Sequence, residues 1–367
     1  MDAQTQSPQS TTVAIVGAGP IGIELAIALQ RLGVAYVLLE AAQVGDAFSK
    51  WPPNTHFFST PEHVALAGVP VHNLNQQPIS GEQYLAYLRT LVEMFDLNVH
   101  VYEPVTGIAR TGAGFEITTH TRRGARRYRA RYVVLATGGL AEPRKLGIPG
   151  EDLPHVSHYF AGPHPYFRTR LLIVGGRNSA IEAALRCWRA GARVTLSYRR
   201  PEFNFERIKP HLAVDLRDRL SKGEIQFLPA TIPVEITPTH VMLATAGADW
   251  APDDARNGHP IEHATDFVLL TTGFVADMRL FAAAGVTLEG EAQAPVFNPQ
   301  TMETDVPGLF VAGTAAGGTQ TKFVYFISNS HDHVAKIVKA ITGQVPAQLG
   351  SVPARNNAVT WEEIKAN

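Results

Sequence analysis

Two glycine clusters in this chain have the residue types and spacing that bind phosphate esters. The first is Gly17-Ala18-Gly19-Pro20-Ile21-Gly22, a G-x-G-x-x-G set between an apolar run (Val13 to Val16) and a helically spaced stretch (Ile23 to Leu32). A second apolar run follows and ends on Glu40. In this context Gly17 permits a tight turn off a strand, Gly19 and Pro20 stand where a pyrophosphate approaches the helix N-terminus, and Gly22 lets helix pack on sheet. Glu40 is then placed to hold an adenosine ribose.

The second cluster is Gly175-Gly176-Arg177-Asn178-Ser179-Ala180, between Leu171 to Val174 and a helical pattern over Ile181 to Ala190, with Arg193 to Tyr198 as the next strand. Gly17 to Glu40 and Gly175 to Tyr198 span the same number of positions, so one βαβ unit is used twice. The ends differ chemically. Glu40 accepts hydrogen bonds from a ribose 2′-hydroxyl and repels a 2′-phosphate, whereas Tyr198-Arg199-Arg200 offers guanidinium groups that bind one. The second site is therefore expected to prefer NADPH over NADH. Arg177 stands where the middle glycine belongs; the expectation is that Gly176 takes over the close approach while Arg177 swings over the phosphates.

Other chemistry-bearing residues are few. Cys187 is the one cysteine, which excludes a disulfide framework and a C-x-x-C pair. Its neighbours Ala184, Leu185 and Trp188 make it read as a buried structural thiol. His155, His158 and His164 read as structural, and without H-E-x-x-H spacing no metal is expected. His331 and His333 on the last helix are candidate proton donors, an imidazole titrating near neutral pH. No catalytic residue is assigned. Trp51, Phe57 and Phe58 either wall a flat cofactor or pack as core.

The elements that must position these groups follow from length and pattern. The 367 residues suffice for two domains, and a formal net charge of −1 argues against nucleic acid or an anionic membrane as partner. Met1 to Ser10 lacks the features of a signal peptide and no apolar run is long enough for a membrane helix, so the expected location is cytoplasmic. Gln83 to Phe95 reads as a packing helix capped by Ser80, and Phe115 to Thr119 with Tyr128 to Ala136 as a hairpin whose arginines form a solvated edge. Ala141 to Pro154 is dense in proline and glycine and marks a domain crossing. A helix over Pro210 to Ser221, strands at Val241 to Ala244 and Asp266 to Thr272, a Gly-rich turn within Leu309 to Gln320, a helix from about Lys322 to Ala340 and a loosely held tail complete the chain.

Taken together, the residues resemble a family. Ala136-Thr137-Gly138, Thr271-Thr272-Gly273 and the closing GLFVAGTAAGG are similar to flavoprotein reductases of the thioredoxin reductase architecture. FFSTPEHVALAGVP, HVSHYFAGPHPYF, GGRNSAIEAAL and YRRPEF resemble, in order, stretches of the bacillithiol-disulfide reductase (YpdA) family. The resemblance implies an α/β fold of two Rossmann-like dinucleotide-binding domains: an FAD domain (residues 11–142 plus 263–343) with an inserted NADPH domain (143–262), then a tail (344–367). It adds Thr137, Gly138, Thr272, Gly273, Gly313 and Thr314 to the expected cofactor-binding residues. Two departures stand out: Ile21 occupies the position of the family's proposed redox cysteine, and Thr314 stands where many related flavoproteins carry aspartate. An apolar Ile cannot form a mixed disulfide.

The expected function is an NADPH-dependent FAD oxidoreductase acting on a small disulfide, a ferredoxin or flavodoxin, or a quinone, as a homo-oligomer. A flavin-dependent monooxygenase and a non-catalytic FAD- or NADPH-binding sensor stay open as alternatives.

Overall fold

The computed structural model describes residues 8–74, 76–247, 260–320 and 324–350. They fall into two compact units. The first holds the chain up to Ser49, Asn54–Ala141 and the chain from Val275 on; the second holds Lys50–Pro53 and Glu142–Phe274.

In the first unit, strands apolar on both faces form a parallel sheet, as burial on both sides requires. Gln9–Val16 lies between Tyr36–Leu39 and Gly124–Leu135, parallel to each, with Val99–His100 beyond Tyr36–Leu39. On its far side Gly124–Leu135 serves two further neighbours in turn. Its first part pairs antiparallel with Gly114–Thr121, and its last residues, Val133 to Leu135, pair in parallel with Leu309–Val311. The period-2 alternation is explicit here: Tyr128 and Ala130 are buried while Arg127, Arg129 and Arg131 face solvent. The expected edge is corrected: this strand is paired on both sides, so its arginines line a sheet face and not a sheet edge. Gly81–Met94 is the expected packing helix. Ser80 accepts from the Gln83 N–H at 3.3 Å and the Gln83 side chain accepts from the Ser80 N–H at 2.8 Å, a reciprocal cap that fixes its start. The last helix is Ile327–Thr342, begun where Asn329 Oδ1 accepts from the Phe326 N–H at 2.8 Å; the expected start near Lys322 lies outside the described residues.

The second unit is a parallel sheet in the order Gln226–Pro229, Arg193–Tyr198, Arg170–Val174, Phe267–Leu270, Val156–Ser157. Helices Asn178–Arg189 and Pro210–Ser221 cover one face, where Ile181, Leu185, Leu212 and Leu216 join a single apolar cluster. A three-stranded antiparallel sheet over Thr231–Ile236, His240–Thr245 and Ile261–Ala264 supplies Ile236, Val241 and Leu243 to the cluster on the other.

Two further expectations are corrected. The return to the first unit comes after Phe274, not at 263, because Phe267–Leu270 pairs with Arg170–Val174 in the inserted sheet. The tail is not loose over its described part. The Gly350 N–H donates to Glu24 Oε1 at 2.5 Å, the Gly68 N–H donates to the Gly350 carbonyl at 3.2 Å, and Arg31 donates to the Gln348 carbonyl at 3.4 Å. Residues 351–367 lie outside the described residues. Among the described residues no helix is long and apolar enough to cross a membrane.

Candidate functional site

In the first unit the turn after Gln9–Val16 is set by sterics. Gly17 has φ +108, and a Cβ on it would stand 2.5 Å from the Ala136 carbonyl oxygen; one on Gly22 would stand 1.9 Å from the Gly17 carbonyl oxygen. The strand, the turn and the helix Pro20–Arg31 are thereby packed against Ala136 and Thr137, which directly follow the neighbouring strand Gly124–Leu135. At Gly19 the situation is the reverse. A Cβ there would meet nothing within 4 Å, and Gly19 caps the helix with no side-chain hydrogen bond, so the helix N-terminus faces open space.

Glu40 closes one side of this space. Its Oε2 accepts from the Ala18 N–H at 2.7 Å and its Oε1 from the Ala42 N–H at 2.9 Å. Burial pushes its carboxyl up, against those two backbone donors. Glu40 therefore holds the glycine turn itself, a role beyond the expected ribose contact. On the other side Thr314 Oγ1 lies 3.8 Å from where a Gly138 Cβ would be, and Thr137 Oγ1 is buried without a hydrogen-bond partner among the described residues. An orphaned buried hydroxyl calls for a ligand or water. That hydroxyl, the uncapped helix N-terminus and the opening at Gly19 fit a dinucleotide, so Gly17, Gly19, Pro20, Gly22, Glu40, Thr137, Gly138, Gly313 and Thr314 form one candidate cradle.

Two neighbours of the cradle decide chemistry. Ile21 is 6% exposed, and its Cγ1 lies 3.4 Å from where a Gly313 Cβ would be, so an aliphatic side chain fills this place. His333 Nδ1 accepts from the Gly313 N–H at 3.1 Å, and burial pushes its imidazole down to about 4. His333 is a neutral buried acceptor, and His331 Nδ1 lies 2.5 Å from the buried Glu24 carboxylate. Both imidazoles are engaged in the fold, which corrects their reading as proton donors. Phe57 packs tilted against Phe48 and edge-on against Tyr84, centroids 5.6 and 4.9 Å apart, the packing alternative, while Phe58 is exposed and Trp51 falls in the stretch that groups with the second unit.

In the second unit Gly175 opens the turn at φ +149, and Ala180 stands 3.2 Å from where its Cβ would be, so Ala serves where the first unit needs Gly22. Gly176 is required here for packing. Its Cβ position is filled by the Tyr198 ring, 2.5 Å away, and that ring stacks on Phe203 at 5.5 Å and 8°. Tyr198 is thus a wedge between Gly176 and Phe203. Asn178 Oδ1 accepts from the Lys209 N–H at 2.8 Å, and Thr272 Oγ1 donates to the Arg144 carbonyl at 2.8 Å while the Arg144 N–H donates to the Gly273 carbonyl at 2.9 Å. Asn178, Thr272 and Gly273 therefore hold main chain around the turn. Arg177 and Ser179 are exposed at the start of the helix.

Arg199 is half-buried, and burial pushes its guanidinium down to about 9, helped by the charges of Arg200, Arg177 and Arg144. Arg144 was not foreseen. It lies in the proline-rich crossing, where no periodicity points to a binding role. Glu24 was also missed, although a lone carboxylate in the otherwise apolar stretch Ile21 to Leu29 is a visible signal.

The pyridine nucleotide-disulphide oxidoreductase family model matches residues 14–313. The bacilliredoxin reductase Bdr of Bacillus subtilis (strain 168) is 32% identical over 328 residues, covering 89% of this chain and 96% of the relative. Among solved structures, the bacillithiol disulfide reductase Bdr (YpdA) from Bacillus cereus superposes with a TM-score of 0.83 at 32% identity, over 91% of this chain and 99% of that one. The T. acidophilum thioredoxin reductase shares the fold, with a TM-score of 0.69 at 20% identity over 91% and 99% of the two chains.

Proposed function

Since this chain belongs to the pyridine nucleotide-disulphide oxidoreductase family and, within it, to the bacilliredoxin reductases, we propose that it passes electrons from NADPH to an acceptor without using a thiol of its own. It is an NADPH-dependent flavoprotein oxidoreductase. Bound FAD supplies hydride acceptance and onward electron delivery; the chain supplies binding, orientation and exclusion of water. In this reading the cradle of the first unit takes FAD. The helix N-terminus at Gly19 and Pro20 faces its pyrophosphate, Glu40 its ribose, and Thr137 and Thr314 its polar groups. The turn of the second unit takes NADPH, with Arg199 and Arg200 at the 2′-phosphate.

A single observation carries the acceptor reading: no cysteine is placed to form a mixed disulfide. Ile21 fills the place beside Gly313, and Cys187 is 0% exposed in the helix Asn178–Arg189 with its thiol pushed up to about 12 by burial. The acceptor classes this leaves are a quinone, a ferredoxin or flavodoxin, and a small disulfide reduced without a protein thiol. Work in the cytoplasm as a homo-oligomer belongs to the same proposal, on family likeness.

The test is the visible spectrum followed anaerobically during addition of NADPH and then NADH, on protein with and without prior thiol alkylation. The expected result is flavin absorbance that bleaches promptly with NADPH and slowly with NADH, at rates that alkylation leaves unchanged. A protein that stays colourless after FAD is supplied, or yellow and unmoved by either nucleotide, has a binding role instead.

Glu40→Ala tests the assignment of the two sites. It leaves two backbone donors without an acceptor, a loss of about 1–3 kcal/mol each where they stay buried. Flavin content after gel filtration is expected to fall with NADPH affinity unchanged. The opposite pattern would mean the sites are reversed.

A further inference from the structure

We infer that Arg144 is a nucleotide-binding residue of the inserted unit and that its guanidinium takes the pyrophosphate bridge of the pyridine nucleotide, together with Arg177. This rests on the proposed NADPH site and adds a residue from outside the strand–turn–helix motif.

The main chain of Arg144 is held at both ends of its peptide unit. Its N–H donates to the Gly273 carbonyl at 2.9 Å and its carbonyl accepts from Thr272 Oγ1 at 2.8 Å. The preceding residue, Thr271, donates both its N–H and its hydroxyl to the Val174 carbonyl, at 2.9 and 2.8 Å. Val174 is the last residue before Gly175, so four hydrogen bonds, passing through Thr271 to Gly273, link Arg144 to the start of the phosphate turn. Its neighbour Lys145 is paired with Asp152 at 2.5 Å, whereas Arg144, Arg177 and Arg200 have no ion pair among the described residues.

Electrostatics points the same way. The charges of Arg144, Arg177 and Arg200 all act on the half-buried Arg199. Four guanidinium groups gathered in this way repel, and a ligand with several negative charges relieves that repulsion. A nicotinamide dinucleotide phosphate carries two anionic centres. Arg199 and Arg200 stand at the strand end, where a ribose 2′-substituent lies, while Arg177 and Arg144 stand at the turn, where the pyrophosphate lies.

The close-approach geometry adds the need for side chains. In a glycine-lined turn the pyrophosphate is held by main-chain N–H groups. Here the Tyr198 ring covers Gly176 and an arginine replaces the middle glycine. Charge-assisted bonds from Arg177 and Arg144 take over what close backbone approach supplies elsewhere.

The experiment uses the FAD-loaded full chain and titration calorimetry with NADP⁺ and with adenosine 2′-monophosphate, which lacks the bridge, at about 0.15 M salt to screen long-range effects. Arg144→Gln is expected to weaken NADP⁺ binding about tenfold or more, the loss of one charged hydrogen bond, and to change adenosine 2′-monophosphate binding less than about twofold. Arg144→Lys, which keeps the charge, is expected to retain part of the NADP⁺ affinity; a melting curve on both variants shows that the fold is kept. Unchanged NADP⁺ affinity in Arg144→Gln overturns the inference, as does an equal loss for both ligands. A wild-type protein that binds neither ligand overturns the NADPH site itself and this inference with it.

Discussion

Glu24→Ala is expected to destabilise the first unit by about 3–5 kcal/mol, the cost of removing one partner from a buried charged cluster. The carboxylate is 0% exposed and is shared by three separate segments. Oε1 accepts from the Ala67 N–H at 2.8 Å and the Gly350 N–H at 2.5 Å, and Oε2 faces His331 Nδ1 at 2.5 Å. Alanine leaves all three without an acceptor. Arg31, about two helical turns along the same helix, donates to the Ala67 and Gln348 carbonyls at 3.0 and 3.4 Å, so the same two segments are tied twice. Glu24→Gln keeps an acceptor oxygen but loses the charge facing His331, and an intermediate loss is expected. The measurement is thermal and urea unfolding of the FAD-loaded protein, with hydrogen exchange at Ala67 and Gly350 as the local readout. Those two amides are expected to lose protection before the rest of the sheet. A variant that melts with the wild type and keeps both amides protected would show that the cluster contributes no net stability.

The double variant Arg199→Ala, Arg200→Ala is expected to lose roughly 1.5–3 kcal/mol of NADPH binding per charged hydrogen bond removed, while NADH use is spared. The discrimination arises because only NADPH presents a phosphate at the ribose end of the βαβ unit. Arg199 is pushed down to about 9 and so still carries its proton at neutral pH, ready to pair with that phosphate. Its half-burial strengthens the pairing relative to a fully solvated guanidinium. The measurement is the ratio of kcat/KM for NADPH to that for NADH in wild type and variant. An equal fall for both nucleotides would mean that the two arginines support the fold or the shared part of the cofactor and do not read the 2′-phosphate.

Short-range pattern was legible in the chain to a useful depth. Glycine spacing between apolar runs locates both strand–turn–helix units, because a tight turn, a helix start and a packed crossing each impose their demand within a few residues. The Ser80 cap and the helix Pro210–Ser221 stand where the pattern puts them for the same reason: helix ends and helical periodicity are local properties.

What the local pattern leaves open was settled at long range. That Gly176 must lack a side chain because the Tyr198 ring occupies its Cβ position is not visible in the glycine spacing. His333 reads as a proton donor until Gly313 is found donating to it. The end of the inserted unit at Phe274 depends on which strand Phe267–Leu270 pairs with, a choice that its apolar composition does not make.

By itself, then, the sequence determined the two Rossmann-like units, the charge difference between Glu40 and Tyr198-Arg199-Arg200 at the ends of their second strands, and the absence of a thiol at Ile21. Only the tertiary structure decided that Glu24 fastens the chain at Gly350, that Glu40 braces the glycine turn in addition to its expected ribose role, and that Arg144 is anchored on Thr272 and Gly273. The physical reason is that periodicity and steric demand act over neighbouring residues, whereas a buried carboxylate or guanidinium takes its role from whichever groups packing brings to it.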